Sequence, residues 1–197
     1  MYNEIMKMTK KFFIYSFLFL GLNLILRLDF TYLKLSFGEV SITEFTQSIL
    51  LLLTSYSFFK IGHKNEKLKR ASFLIGSFFI VLLIREQDHY LDDLIPSSWL
   101  YPALIVSFLA ITYSLKEKNN TVQGMTEIMK VKEFDILVLG MAMLLVFSRL
   151  YGMGDFWKEV MDENYIRIIK NISEEGTELL SYLIIAISAS KIKRRLT

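Results

Sequence analysis

Cysteine is absent from this chain, histidine occurs only twice, and the nine glycines form no phosphate-binding loop. Without cysteine there is no disulfide, no thiolate metal site and no cysteine nucleophile. His63 sits in a lysine-rich stretch, so a histidine-based triad would have to use His89, and no serine lies in a nucleophile elbow. A carboxylate di-iron centre needs two Glu-x-x-His units, and the chain has one, Glu86 to His89. Intramembrane proteases of the glutamate type pair two glutamates with several histidines, which Glu174-Glu175 cannot supply alone. Gly152-Met153-Gly154 reads as a helix-ending turn rather than a phosphate cradle. The net charge of +3 gives no reason to expect nucleic acid as a partner. These gaps lean the reading away from an enzyme.

What is present is hydrophobic surplus. Apolar residues make up 53% of the 197, with 16 Phe, 10 Tyr and a mean hydropathy of +0.38. The surplus is gathered into runs, the pattern of a membrane protein rather than of a rich soluble core. The many Lys, Ile, Asn and Phe residues are what an AT-rich bacterial gene yields. The spacing predicts an all-α, polytopic membrane helix bundle in a single integral domain. It has six spans, about 12–28, 41–59, 71–90, 99–115, 134–151 and 173–190. The first follows Lys7, Lys10 and Lys11, and Asp29-Phe30-Thr31-Tyr32 follows it in place of a small-x-small cleavage site. It therefore reads as an uncleaved helix. A span needs roughly 20 residues, or as few as about 17. The third and fifth runs reach that length only by taking in Arg85 to Tyr90 and Arg149 to Tyr151, which draws charge below headgroup level.

The connections differ in charge. Sixteen of the 23 basic residues fall on one side, in the segments before span one, at 60–70, at 116–132 and after Ser190. Fourteen of the 20 acids fall on the other. The lysine-rich side is cytoplasmic by the positive-inside bias, so both termini are expected there, in a multi-pass protein of the cell's inner membrane. Four spans with interfacial segments are an alternative, which would strand a lysine-rich loop outside. Between spans five and six, Phe156, Trp157, Val160, Met161, Tyr165, Ile168 and Ile169 recur at helical spacing. They predict one amphipathic helix over about 153–171, lying on the outer surface as an anchor or, more sharply, a lid.

Charged residues converge on the outer ends of the spans. Arg27 and Asp29 end the first, and Glu44 and Gln47 open the second. Arg85, Asp88, His89 and Asp92 fall at i, i+3, i+4 and i+7, one stripe of a continuous helix. Glu174 and Glu178 form an i, i+4 pair, and Glu178 is the deepest acid of its helix. Ionisable groups inside a span are costly unless paired and generally face the bundle interior. An arginine can bridge two carboxylates, so Arg85 and Arg149 are expected to knit helices two, three, five and six together. Ile42-Thr43-Glu44 and Ile172-Ser173-Glu174 also read as helix caps, which accounts for some of the acids without a ligand.

The functional reading is a small bacterial-type membrane transporter or sensor. Its outward-facing site for an ion or polar ligand is made of Glu44, Arg85, Glu86, Asp88, Arg149, Glu175 and Glu178. A purely structural charge network is the alternative, in the membrane subunit of a two-protein system such as bacterial immunity or phage defence, with a soluble cytoplasmic partner. A metal-dependent enzyme acting on lipid would use Asp88, His89, Asp92, Glu174 and Glu178 as ligands. The bilayer is the expected partner throughout. Six spans leave little room for a pore in one chain, so a homo-oligomer is expected of a transporter. Gly76, Ser77, Gly140, Ala142, Ser181, Ala186, Ser188 and Ala189 are the small residues that let helices approach.

Overall fold

The computed structural model describes residues 2–33, 41–92 and 96–197, with the side chains of all of these but Tyr32, Leu33, His89 and Asp92. Every regular element among the described residues is helical. Helix α1 (Tyr2–Arg27) runs into a π-helical turn, Leu28–Leu33. Helix α2 (Ile42–Lys64) passes through a 3-10 turn, Glu66–Leu68, into α3 (Lys69–Glu86) and the short α4 (Asp88–Asp92). Then come α5 (Leu100–Leu115), α6 (Lys118–Met129) and α7 (Glu133–Ala142), which continues through a π turn, Met143–Phe147, into α8 (Ser148–Gly152). Helix α9 (Gly154–Met161) and a 3-10 turn, Asp162–Asn164, lead to the long α10 (Arg167–Leu196).

Helices α2, α3, α7 and α10 enclose the core, which includes Leu51, Phe58, Phe79, Leu137, Tyr182 and Ile185. Phe58 and Phe79 stack at 5.9 Å between α2 and α3. Those helices close up because Gly76 leaves room for Phe59: a Cβ there would sit 2.7 Å from the ring. The Ser55 hydroxyl donates to the Gly76 carbonyl at 2.7 Å across the same seam. Gly140 does the same for α7 against α10, where a Cβ would lie 2.8 Å from Ile185. The small residues expected to permit close approach do so at these points, whereas Ala142 is exposed.

Polarity is distributed inside out. Thr43, Gln47, Thr54, Ser55, Ser57, Ser72, Ser77, Ser181 and Ser188 are buried. Several of the hydroxyls donate to the carbonyl one turn back, as in Thr54 to Leu50 and Ser181 to Thr177, so they are satisfied within their own helix. The outside carries Phe17 at 75% exposure, Val146 at 72% and Phe108 at 69%, and α1 has no buried residue at all. Contiguous exposed apolar surface of this extent marks contact with lipid or another protein.

All six expected spans coincide with helix, but length and composition single out fewer. Among the described residues, two helical runs are long and apolar enough to cross a membrane, Tyr2–Thr31 and Glu133–Gly152. Helix α5 is apolar but only 16 residues long. Helices α2, α3 and α10 are diluted by their own buried Ser, Thr and Glu and by the charges at their ends.

Three local expectations are corrected. The third span breaks at Gln87, whose φ of −97° and ψ of 15° end α3, and whose side chain donates to Ser48 Oγ on α2 at 2.7 Å. The outer amphipathic helix over 153–171 is two pieces. Asp162, with φ of 49°, ends α9, and the segment from Arg167 onward is the first turn of α10. The connection 116–132 is largely helix, α6, seated on the 3-10 turn and α3 through Gly124, where a Cβ would lie 3.0 Å from the Lys67 carbonyl.

Candidate functional site

The end of the bundle where α2 begins gathers the polar side chains. Ser41, not Thr43, caps α2 from within its own segment: its hydroxyl accepts the Glu44 N–H at 3.0 Å. Asp29, 1% exposed, reaches over from the turn after α1 and accepts the N–H groups of Ile42 at 3.1 Å and Thr43 at 2.7 Å, and the Thr43 hydroxyl. It therefore satisfies N–H groups that the first turn of a helix leaves open. Ser173 is not a cap either, because α10 has already begun six residues earlier and its hydroxyl donates to Ile169 O at 2.9 Å.

One turn into α2, Gln47 is fully buried. Its Nε2 donates to Glu175 Oε2 at 2.9 Å and, at 3.4 Å, to the Glu175 carbonyl. Its Oε1 is buried with no hydrogen-bond partner among the described residues. Across the core, the last turn of α3 presents Arg85 and Glu86, joined at 2.6 Å. The same guanidinium lies 3.9 Å from Glu178. Tyr182, 1% exposed, donates its hydroxyl to Glu86 Oε1 at 2.7 Å. Glu175, Glu178 and Tyr182 stand at i, i+3 and i+7 on α10, so one face of that helix meets α2 and α3 together.

The balance is acidic. Two carboxylates, of Glu86 and Glu178, meet one guanidinium, that of Arg85, and a third, of Glu175, is met by the Gln47 amide. Glu44 lies near enough to act electrostatically on Glu175, and Arg149 on Glu178. Arg149, however, sits on an exposed face of α8 and makes no ion pair among the described residues. The expected knot through helix five is thus a long-range influence rather than a bridge. Asp88 is exposed beyond the break at Gln87 and does not join Arg85 in a stripe. Glu174 turns away to Lys170, at 2.7 Å, and packs on Gly152. The side chains of His89 and Asp92 lie outside the described residues. Among the described residues no three His, Asp or Glu side chains stand close enough together to hold a metal ion. The expected metal ligands Asp88, Glu174 and Glu178 are separated by these placements.

One member of the cluster escapes the sequence reading: Tyr182 is neutral, and only its helical spacing from Glu178 points to it, whereas the sequence already sets Gln47 beside Glu44. At the opposite end of the bundle a groove of about 940 Å³ opens between residues 65–70 and α6, edged by Tyr113 and Leu196. There Arg70 stacks over Tyr113 at 4.5 Å and bonds Glu117. The Glu117 carboxyl is held below its ordinary pKa by the Asn120 amide and by Arg70.

Comparisons with protein-family models, with curated proteins and with solved structures find no match for this chain. The chemistry at the site alone bears on function.

Proposed function

We propose that this chain is a six-span protein of the inner membrane with both termini cytoplasmic. On this reading the cluster of Arg85, Glu86, Glu175 and Glu178, with Gln47 and Tyr182, is an outward-facing site for an ion or polar ligand. The protein is then a small transporter or sensor, with Glu44 and Arg149 setting the field at the rim. The observation that carries the proposal is the excess of carboxylates over guanidinium at one end of the core, with Glu178 buried and Glu86 and Glu175 half-buried. Charge inside a bundle is costly, and its retention points to use. The apolar exterior and the serine- and threonine-rich interior support the membrane reading.

Absence of cysteine makes the topology directly testable. Single cysteines at Asp155 and at Lys118 are treated in intact cells with a membrane-impermeant maleimide. Labelling at 155 and protection at 118 are expected, and the reverse pattern overturns the orientation. For the site, thermal unfolding of detergent-purified protein is followed against pH, divalent metals and lipid headgroups. A stabilising ligand whose effect vanishes in Glu178→Gln is expected. A flat response in every arm sinks the ligand reading and leaves the cluster as architecture. The groove beside α6 favours a second reading, a soluble partner docking on the lysine-rich face, which co-purification with a neighbouring gene's product would reveal.

A further inference from the structure

We infer that the ligand is a small monovalent cation, held between the Gln47 amide oxygen and the Glu175 carboxylate. The inference rests on the ligand-site reading above and names the ligand's class. The starting point is an unmet acceptor. Gln47 is buried on all sides, both contacts of its Nε2 run to Glu175, and its Oε1 meets no donor among the described residues. A buried carbonyl oxygen left bare costs free energy, on the order of 1–3 kcal/mol. The amide nitrogen touches the Glu175 carboxylate, and the bare oxygen is carried on the same amide carbon, beside that contact.

The donor set then restricts what can fill the gap. An amide oxygen and carboxylate oxygens are hard donors suited to hard cations. A divalent ion would call for several converging carboxylates, and the described residues hold no such group. Glu86 and Glu178 are already engaged with Arg85, and Glu86 also accepts from Tyr182. Glu175 is the acid turned toward α2 and away from the guanidinium. One positive charge placed there meets the orphan oxygen and reduces the excess of acid in the same step.

The test uses full-length protein in detergent at fixed pH and constant ionic strength, with lithium, sodium or potassium chloride replacing choline chloride. One alkali ion is expected to raise the unfolding midpoint in a saturating way that choline does not reproduce. Gln47→Leu is expected to raise the half-saturating concentration roughly ten- to hundredfold. Should that variant fail to fold, Gln47→Glu keeps an oxygen donor and adds charge, so half-saturation is expected at lower concentration. Glu117→Gln, at the far end of the bundle, should leave the titration unchanged. Midpoints that are identical in all four salts overturn the inference, as do midpoints that move with pH alone. A response to another ligand that still requires Glu178 would leave the site reading standing while the cation is rejected. Flat curves in both experiments reject the two together.

Discussion

The two ends of the bundle handle charge in opposite ways. At the lysine-rich end bases outnumber acids, and four of the acids each hold a base of their own, mostly in water. Glu66 pairs with Lys69, Glu127 with Lys130, Glu117 with Arg70 and Glu133 with Arg195. At the other end Glu86 and Glu178 share one guanidinium, that of Arg85, and neutral Tyr182 and Gln47 donate to Glu86 and to the third carboxylate, Glu175. Exposed pairs contribute little to stability, so the first end can be rewritten freely. The second cannot, because removing one member of a buried set strands the rest. An imbalance that is kept where it costs most is the clearest sign of use in this molecule.

Breaking the contrast begins with Arg85. Arg85→Met removes the one cation that pairs with Glu86 and Glu178 among the described residues and should cost about 3 kcal/mol or more, read by denaturant or thermal unfolding in detergent. Adding Glu86→Gln to that variant should recover part of the loss. An unchanged single variant would mean that the carboxylates are already neutralised and the contrast is false. Asp29→Ala should come next. It uncaps α2 and releases the end of α1 at a cost of about 1–2 kcal/mol, with faster proteolysis between the two helices as the local readout. The smallest effect belongs to the wet end. Glu117→Gln should leave the midpoint almost unchanged at moderate salt. The Glu117 carboxyl is held below its ordinary pKa, so its contribution is present at neutral pH and fades only as pH falls through that lowered value. The difference between this variant and the parent should therefore vanish in acid.

Much of this contrast is legible from the chain. Hydrophobic runs place every helix that matters, and charge asymmetry separates the two ends before any coordinate is known. Arg85, Glu86, Glu175 and Glu178 are found together because ionisable groups within apolar runs have few places to go. Asp88 is wrongly placed in the cluster because i, i+3 spacing presumes an unbroken helix, whereas α3 ends at Gln87, whose side chain bonds Ser48 on a neighbour distant in sequence. Thr43 and Ser173 are misread as caps for a related reason: true helix starts depend on Asp29 and on the turn at Asp162. Arg149 is misplaced because it falls on an exposed face of α8. Neutral partners such as Tyr182 leave no charge signal for spacing rules to find.

Helix α10 follows the other described elements in sequence and supplies Glu175, Glu178 and Tyr182. Until it is made, Arg85 and Glu86 have each other, Gln47 has nothing to donate to, and the core lacks Ile185 and Ile192. Synthesis runs from the N-terminus, so Gln47, Arg85 and Glu86 are made before their partners on α10. A product truncated before residue 167 is therefore marked as incomplete by its own unpaired buried groups. Docking of α10 removes the mark by pairing those groups.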